Sequence, residues 1–187
     1  YDILDARDFG IPQYRERVFV ISILGNKAFD FSKLRKRPMR PIQEFLEKEV
    51  DEKYVVTQPS MIAKLPGKEV PGTYGGRQLQ EIKEYAWTIT TKQMRCPNAG
   101  VVKLPDGRYR YLTERECWRL MGFDDEDFEK AHREHPTRPG YMNTTLYHQA
   151  GNSIVVQVLE AIFEVILAED YVENIKTNTS GQLELIC

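Results

Sequence analysis

The chain has 187 residues, of which 41% are hydrophobic and 29% charged, with a formal net charge of −2; this is ordinary globular composition and excludes wholesale disorder. The length suits one large domain, or one domain and part of another. The longest apolar run, residues 154–168, is interrupted by Gln157, Glu160 and Glu164. No run reaches the roughly 18 residues of a bilayer span, so a soluble, cytoplasmic chain with no membrane partner is expected. Cys96, Cys117 and Cys187 are too few and too scattered for a disulfide framework or a zinc knuckle, and no metal site is expected. Charge is segregated along the chain. Residues 26–40 hold six basic groups against Asp30, and residues 64–115 hold ten basic against five acidic, each a local +5; the last 28 residues sum to −5. Such a chain can present a basic face to a polyanion while remaining acidic in total, and two merely solvated basic stretches are the alternative.

Residues 1–24 read as two strands around a tight connection, with Gly10 and Pro12 supplying the turn. The opening Tyr1-Asp2-Ile3-Leu4 reads as mid-pattern, as a fragment's would. The nearly unbroken apolar run 18–24 predicts a strand buried on both faces, which needs a larger sheet around it. Residues 33–40 read as a basic linker; Pro41 at the first helical position opens a short helix over 42–49, and a second follows over 61–65. Residues 67–76, with four glycines, read as a loop. A strand is predicted over 86–91. Residues 101–104 and 108–112 flank Pro105-Asp106-Gly107 as a hairpin. Thr113 and Glu116 match a capping box for a helix that stops at Gly122. Residues 124–147 read as a long acidic loop. Asn152 or Ser153 caps a final helix, apolar on most sides, and a loose tail follows residue 170. There is no internal repeat and no low-complexity segment.

Three segments carry candidate chemistry. In Gln13-Tyr14-Arg15-Glu16-Arg17 the two arginines are two apart, so an extended backbone points them the same way, toward a phosphate or a carbonyl oxygen that must be held; saturation by Asp8 and Glu16 is the competing reading. The capped helix 113–122 reads as a docking element. Gly151-Asn152-Ser153-Ile154-Val155-Val156 would open the last helix, where free N–H groups, Asn and Ser could bind a polar ligand or simply cap the helix.

Together and in this order, Phe9-Gly10-Ile11-Pro12-Gln13-Tyr14-Arg15-Glu16-Arg17-Val18-Phe19, the 112–123 segment and Gly151-Asn152-Ser153-Ile154-Val155-Val156 strongly resemble motifs VIII, IX and X of the DNA cytosine-5 methyltransferases. The resemblance covers nearly the whole chain up to about residue 170, and the stretch between VIII and IX is where that family keeps its target-recognition domain. It implies a mixed α/β fold: part of a doubly wound, S-adenosylmethionine-dependent methyltransferase sheet domain, plus a small, loop-rich, mainly β recognition domain. Residues 1–25 would be the catalytic domain's strands, 26–145 the recognition domain with motif IX, 146–170 the returning motif X helix and 171–187 a tail. The family's glycine-rich cofactor loop, Pro-Cys nucleophile and Glu-Asn-Val segment have no counterpart here, since Cys96 precedes Pro97 and Cys117 lies on the motif IX helix. The resemblance therefore implies a C-terminal portion, cut or naturally split from its N-terminal catalytic half. Alone it is expected to be inactive, to bind S-adenosylmethionine poorly and to self-associate through its exposed strand and helix.

By the family's example a cysteine thiolate adds to carbon 6 of a flipped cytosine, making carbon 5 nucleophilic toward the methyl donor. Arg15 and Arg17 would hold the flipped nucleotide, and Asn152, Ser153 and Ile154 would border the cofactor, S-adenosylmethionine. Duplex DNA would be contacted by Gln13, Gly75, Gly76, Arg77, Gln78, Thr90, Lys92, Gln93 and Arg95, some reading bases and some only phosphates. Restriction–modification is the implied context. A transfer-RNA cytosine-5 methyltransferase shares these motifs, and a freestanding DNA-binding module using only the middle segment is a non-enzyme alternative.

Overall fold

The computed structural model describes residues 1–25, 27–68, 78–168 and the pair 172–173. Two strands form first. β1 (Asp2–Asp5) pairs antiparallel with β2 (Glu16–Phe19), setting Ile3 opposite Val18 and Leu4 opposite Arg17. Between them Asp5 caps a 3-10 turn, Ala6–Asp8, and Gly10 takes a positive φ of 86°, where a Cβ would be strained. The run expected to be buried on both faces is not: β2 stops at Phe19, and Val18 and Val20 are 62% and 73% exposed. A two-stranded ribbon has one face on the core, filled here by Leu4 and Phe19.

The middle of the chain contains little regular structure. β3 (Lys27–Ala28) pairs with Val172–Glu173 near the far end of the chain. The helix expected over 42–49 shrinks to a 3-10 turn, Ile42–Glu44, with Pro41 as its cap, although Ile42 and Phe45 are buried as the pattern requires. α1 (Pro59–Ile62) places Pro59 in its first turn. Residues 86–91 are extended without forming a strand; only Ala86 bridges, to Gln13. The hairpin is present as β4 (Val102–Lys103) and β5 (Tyr109–Arg110), with Gly107 at φ 85°.

Four helices close the structure. α2 (Glu114–Arg119) carries the expected capping box. The acidic stretch read as a loop is instead α3 (Asp125–Glu134), capped by Asp124: three further carboxylates in its first turn complement the helix dipole, Phe128 is buried, and Arg115 lies 4.5 Å above the Phe128 ring. α4 (Thr144–Asn152) starts at Asn143, whose Oδ1 accepts from Thr145 and Leu146. α5 (Val156–Leu167) buries Val158, Ala161, Ile162 and Val165 and leaves Phe163 and Leu167 exposed, so its apolar surface is only partly covered. Within Thr144–Leu167 an 18-residue window reaches a mean hydropathy of 1.6, so the stretch has the length and composition of a bilayer span. Its backbone is extended at Ser153 and Val155, however, and α5 alone, at 12 residues and about 1.5 Å per residue, falls well short of the roughly 30 Å hydrocarbon layer. The main core runs from Leu4 and Phe9 through Ile42, Ile89 and Leu112 to Leu146 and Val165, and a second, smaller cluster joins Val56, Leu65, Val101 and Tyr111.

Buried carboxylates tie the segments together. Glu116 is fully buried and accepts from both Nη atoms of Arg110 at 2.8 Å, from Thr113 N at 2.8 Å and from Glu47 N at 2.7 Å. Glu114 accepts from the Tyr54 hydroxyl and from Asn143 N; burial, then the nearby Glu114 charge, pushes the Tyr54 phenol well above its ordinary range. Glu116→Gln leaves the buried Arg110 guanidinium without a counter-charge, and the expected loss is about 3–5 kcal/mol of unfolding free energy, read as a lower urea midpoint at unchanged slope. A second expectation concerns pH. The Arg119 hydrogen bond holds the Asp125 carboxyl below its ordinary range, and that of Arg115 does the same for Glu129. Because these folded-state values are depressed, their stabilisation is complete above the unfolded carboxylate values of about 3.9–4.3 and is lost as pH falls through the lowered ones. Circular dichroism between pH 5 and pH 2 should therefore show an acid loss of helix that becomes shallower in Asp125→Asn.

Candidate nucleic-acid interface and base-holding cleft

The segment 13–17 passes from the core to the surface. Gln13 and Arg15 are buried, while Glu16 and Arg17 are exposed. Arg15 does not converge with Arg17 on an open anion site. Its Nη1 donates to Ile89 O at 2.9 Å, and its Nη2 donates to Gly151 O at 3.1 Å and Ser153 O at 2.9 Å. The reason is local: the last carbonyls of a helix and an extended segment without a ladder all need donors, and a guanidinium supplies several in one plane. Burial, with the Arg17 charge adding to it, brings the Arg15 pKa down to about 10, which leaves it a cation at neutral pH. Arg17 donates to Glu16 O at 2.6 Å and keeps its remaining donors toward solvent.

Gln13, expected at the DNA, is instead fully buried. Its Nε2 donates to Leu120 O at 2.7 Å and its Oε1 accepts from Ile89 N at 3.0 Å. Gly151 completes the arrangement, because a Cβ there would lie 2.3 Å from Thr91 N and 2.4 Å from Thr90 C.

The segment 151–153 ends α4 and does not cap α5, which begins behind Val155 with no side-chain cap. The first free N–H of α5, at Val156, donates to Met121 O at the end of the motif IX helix. Asn152 pairs with His148 Nδ1, and Ser153 Oγ donates to Gln149 O. Even so, Arg15, Arg17, Asn152, Ser153 and Ile154 all line one cleft of about 410 Å³, with Leu4, Val18, Val20 and Val155 as its apolar wall. Among the described residues this lining contains no glycine and no carboxylate. It fits one wall of a site for S-adenosylmethionine, and not the whole cofactor.

The recognition candidates divide. Lys92 and Arg95 are exposed on the turns at 91–95. Gln93 is buried, its Oε1 accepting from Ala99 N, so it braces this loop instead of reaching out of it. Gln78 donates to Leu65 O and Lys68 O. Thr90 Oγ1 is buried without a hydrogen-bond partner among the described residues. Gln78 and Thr90 share a second cleft of about 500 Å³ with Tyr14, Trp87 and Asn98. Gly75, Gly76 and Arg77 lie outside the described residues. Sequence reasoning missed Trp87, whose exposed ring meets Tyr14 edge-on at 5.2 Å; its one signal is an exposed aromatic beside a Thr-rich segment.

Residues 1–168 match the family of C-5 cytosine-specific DNA methylases. The chain belongs to that family. It is 40% identical over 176 residues to type II methyltransferase M2.ScrFI of Lactococcus lactis subsp. cremoris, covering 88% of this chain and 44% of that protein. It is 28% identical to type II methyltransferase M.DsaV of Dactylococcopsis salina, over 90% of this chain and 47% of that one. Orphan methyltransferase M.Rho11sI of Bacillus phage rho11s is 45% identical over 92 residues, 49% of this chain and 17% of its own. The methylase chain thus spans less than half the length of these relatives. Two solved structures share its fold: the S. pombe Dnmt2 methyltransferase, with a TM-score of 0.61 at 18% identity over 90% of this chain and 56% of that chain, and the Entamoeba histolytica methyltransferase EhMeth, with 0.58 at 17% over 90% and 52%. The mixed α/β architecture is therefore that of part of a methyltransferase fold. Gly151→Ala forces α4 away from Thr90–Thr91 and should cost about 1–3 kcal/mol, measured as a lower melting temperature.

Proposed function

We propose that this chain forms the target-recognition and base-holding portion of a DNA cytosine-5 methyltransferase that methylates carbon 5 of a flipped cytosine in duplex DNA within a restriction–modification system. The observation that carries the reading is the one cleft lined by residues of both motif VIII and motif X, the exposed Arg17 among them. Arg17 keeps guanidinium donors free for the cytosine carbonyl oxygen and an adjacent phosphate. Leu4 and Val155 give the cleft a buried apolar floor, and Ile154, Val18 and Val20 line it while remaining exposed. Lys92 and Arg95 stand on exposed turns, where they can neutralise phosphates or reach base edges. Neither cysteine among the described residues suits the nucleophile. Burial, then the charges of Glu116 and Glu114, pushes the Cys117 thiol well up, away from the reactive thiolate; Cys96 is exposed but lines neither cleft. The nucleophile and most of the cofactor site then come from an N-terminal catalytic part of the same enzyme. The family implies S-adenosylmethionine, which when bound supplies the electrophilic methyl group; Asn152, Ser153 and Ile154 border it.

The test is methyl transfer by the complete enzyme to duplex DNA and to transfer RNA, with the modified positions mapped by bisulfite sequencing. Methylation of duplex DNA is expected, and activity confined to transfer RNA overturns the proposal. In the same assay Arg17→Ala should lower kcat by about 10²-fold on every site. Lys92→Ala should instead weaken DNA binding and reduce its salt slope by about one.

A further inference from the structure

Ile89 lies in an extended segment that no neighbouring strand supports. Both of its backbone groups are nevertheless held, by side chains 74 and 76 positions away: Gln13 Oε1 accepts from its N–H at 3.0 Å, and Arg15 Nη1 donates to its carbonyl at 2.9 Å. The residue before it is held from the same place, with Thr88 Oγ1 donating to Tyr14 O at 2.8 Å. Beyond it, the Thr90–Thr91 backbone rests on the bare Cα of Gly151. Each holder has a second hand on the other side. Gln13 also grips Leu120 O, at the end of the motif IX helix, and Arg15 also grips Gly151 O and Ser153 O, in the wall of the base-holding cleft.

We propose that Gln13, Arg15 and Gly151 are positioning residues, a clamp that fixes the DNA-facing segment 89–92 relative to the cleft holding the target base and so sets sequence discrimination without touching DNA. The inference rests on the DNA-contacting role proposed above for Lys92, at the end of this segment. It differs from the expectation that Arg15 holds the flipped nucleotide, because Arg15 already spends its Nη1 and Nη2 atoms on three carbonyls. Gln13 makes the sharper case. It has no exposed surface, so any effect of its side chain on base choice must travel through its partners Ile89, Leu120 and Met121. Side chains act here beyond the backbone bridge at Ala86: Arg15 mounts the segment on the cleft wall, and Gln13 mounts it on the end of α2.

Two measurements test the clamp. The first needs no activity. Hydrogen exchange should show the Ile89 amide protected in the native protein and exposed in Gln13→Met, while amides of α4 and the core of α5 keep their protection. Unchanged exchange at Ile89 overturns the proposal. Gln13→Asn, one methylene too short to reach, replaces Gln13→Met if the latter does not fold. The second measurement is kcat and KM of the complete enzyme on its mapped site and on duplexes with one base pair changed. Gln13→Met and Arg15→Lys should reduce the cognate-to-altered ratio of kcat/KM by roughly tenfold, whereas Arg17→Ala lowers kcat and leaves that ratio intact. If Arg15→Lys and Gln13→Met lower kcat equally on all duplexes with the ratio unchanged, Arg15 is a base-holding residue and the clamp is wrong. Absence of DNA methylation by the unmodified enzyme would strike the proposed function, while the exchange result would still decide the clamp.

Discussion

An extended peptide inside a protein must find partners for every N–H and C=O it buries, and much of this structure follows from how residues 86–91 meet that demand. Their neighbours in space come from both ends of the chain: the segment around Gln13 and Arg15 on one side, the end of α4 on the other. Backbone pairing at Ala86 and Trp87 is continued by polar side chains at Thr88 and Ile89, so the segment's position is set from both sides at once. The spacing of Gln13 and Arg15 and the missing side chain at Gly151 are consequences of that single constraint. Burying a guanidinium is costly, and here the cost is offset because the same group caps the closing carbonyls of a helix.

A second principle is the placement of carboxylates. The chain carries 28 acidic residues, yet Glu114 and Glu116 are the two buried in α2, and each gathers donors from remote segments. Exposed acids do a different task in α3, where they face the helix N-terminus and the arginines of α2. Acidic side chains thus consume Arg110, Arg115 and Arg119 internally. The cations left to face solvent include Lys92 and Arg95.

Local chemistry was readable from the sequence wherever one short motif decides the backbone. The hairpin at Asp106-Gly107, the capping box at Thr113 and Glu116, and the turn at Gly10 all formed as their residues require. The motif order also located the cleft-lining residues Arg17, Asn152 and Ser153. Three readings failed because a partner was not visible in the linear text. Arg15 and Arg17 share a face by spacing, but only the fold shows that Ile89, Gly151 and Ser153 claim Arg15. Residues 125–134 looked like a solvated acidic loop because their helix is held by one apolar residue, Phe128, and by arginines of another element. Gln93 and Gln13 looked like base readers because an amide reads bases and braces backbones with the same two groups.

The double use of Glu116 has a bearing on the order in which the chain assembles. The carboxylate that completes the Thr113 cap also binds Arg110, only six positions upstream. Hairpin, cap and ion pair can therefore close together within some twenty residues, where loop-closure entropy is small. Contacts from Arg15 to Ile89 and Gly151 span 74 and 136 positions, so their closure costs more and tends to come later. The hairpin and α2 are thus suited to serve as a local nucleus, onto which the two distant ends of the chain are drawn later.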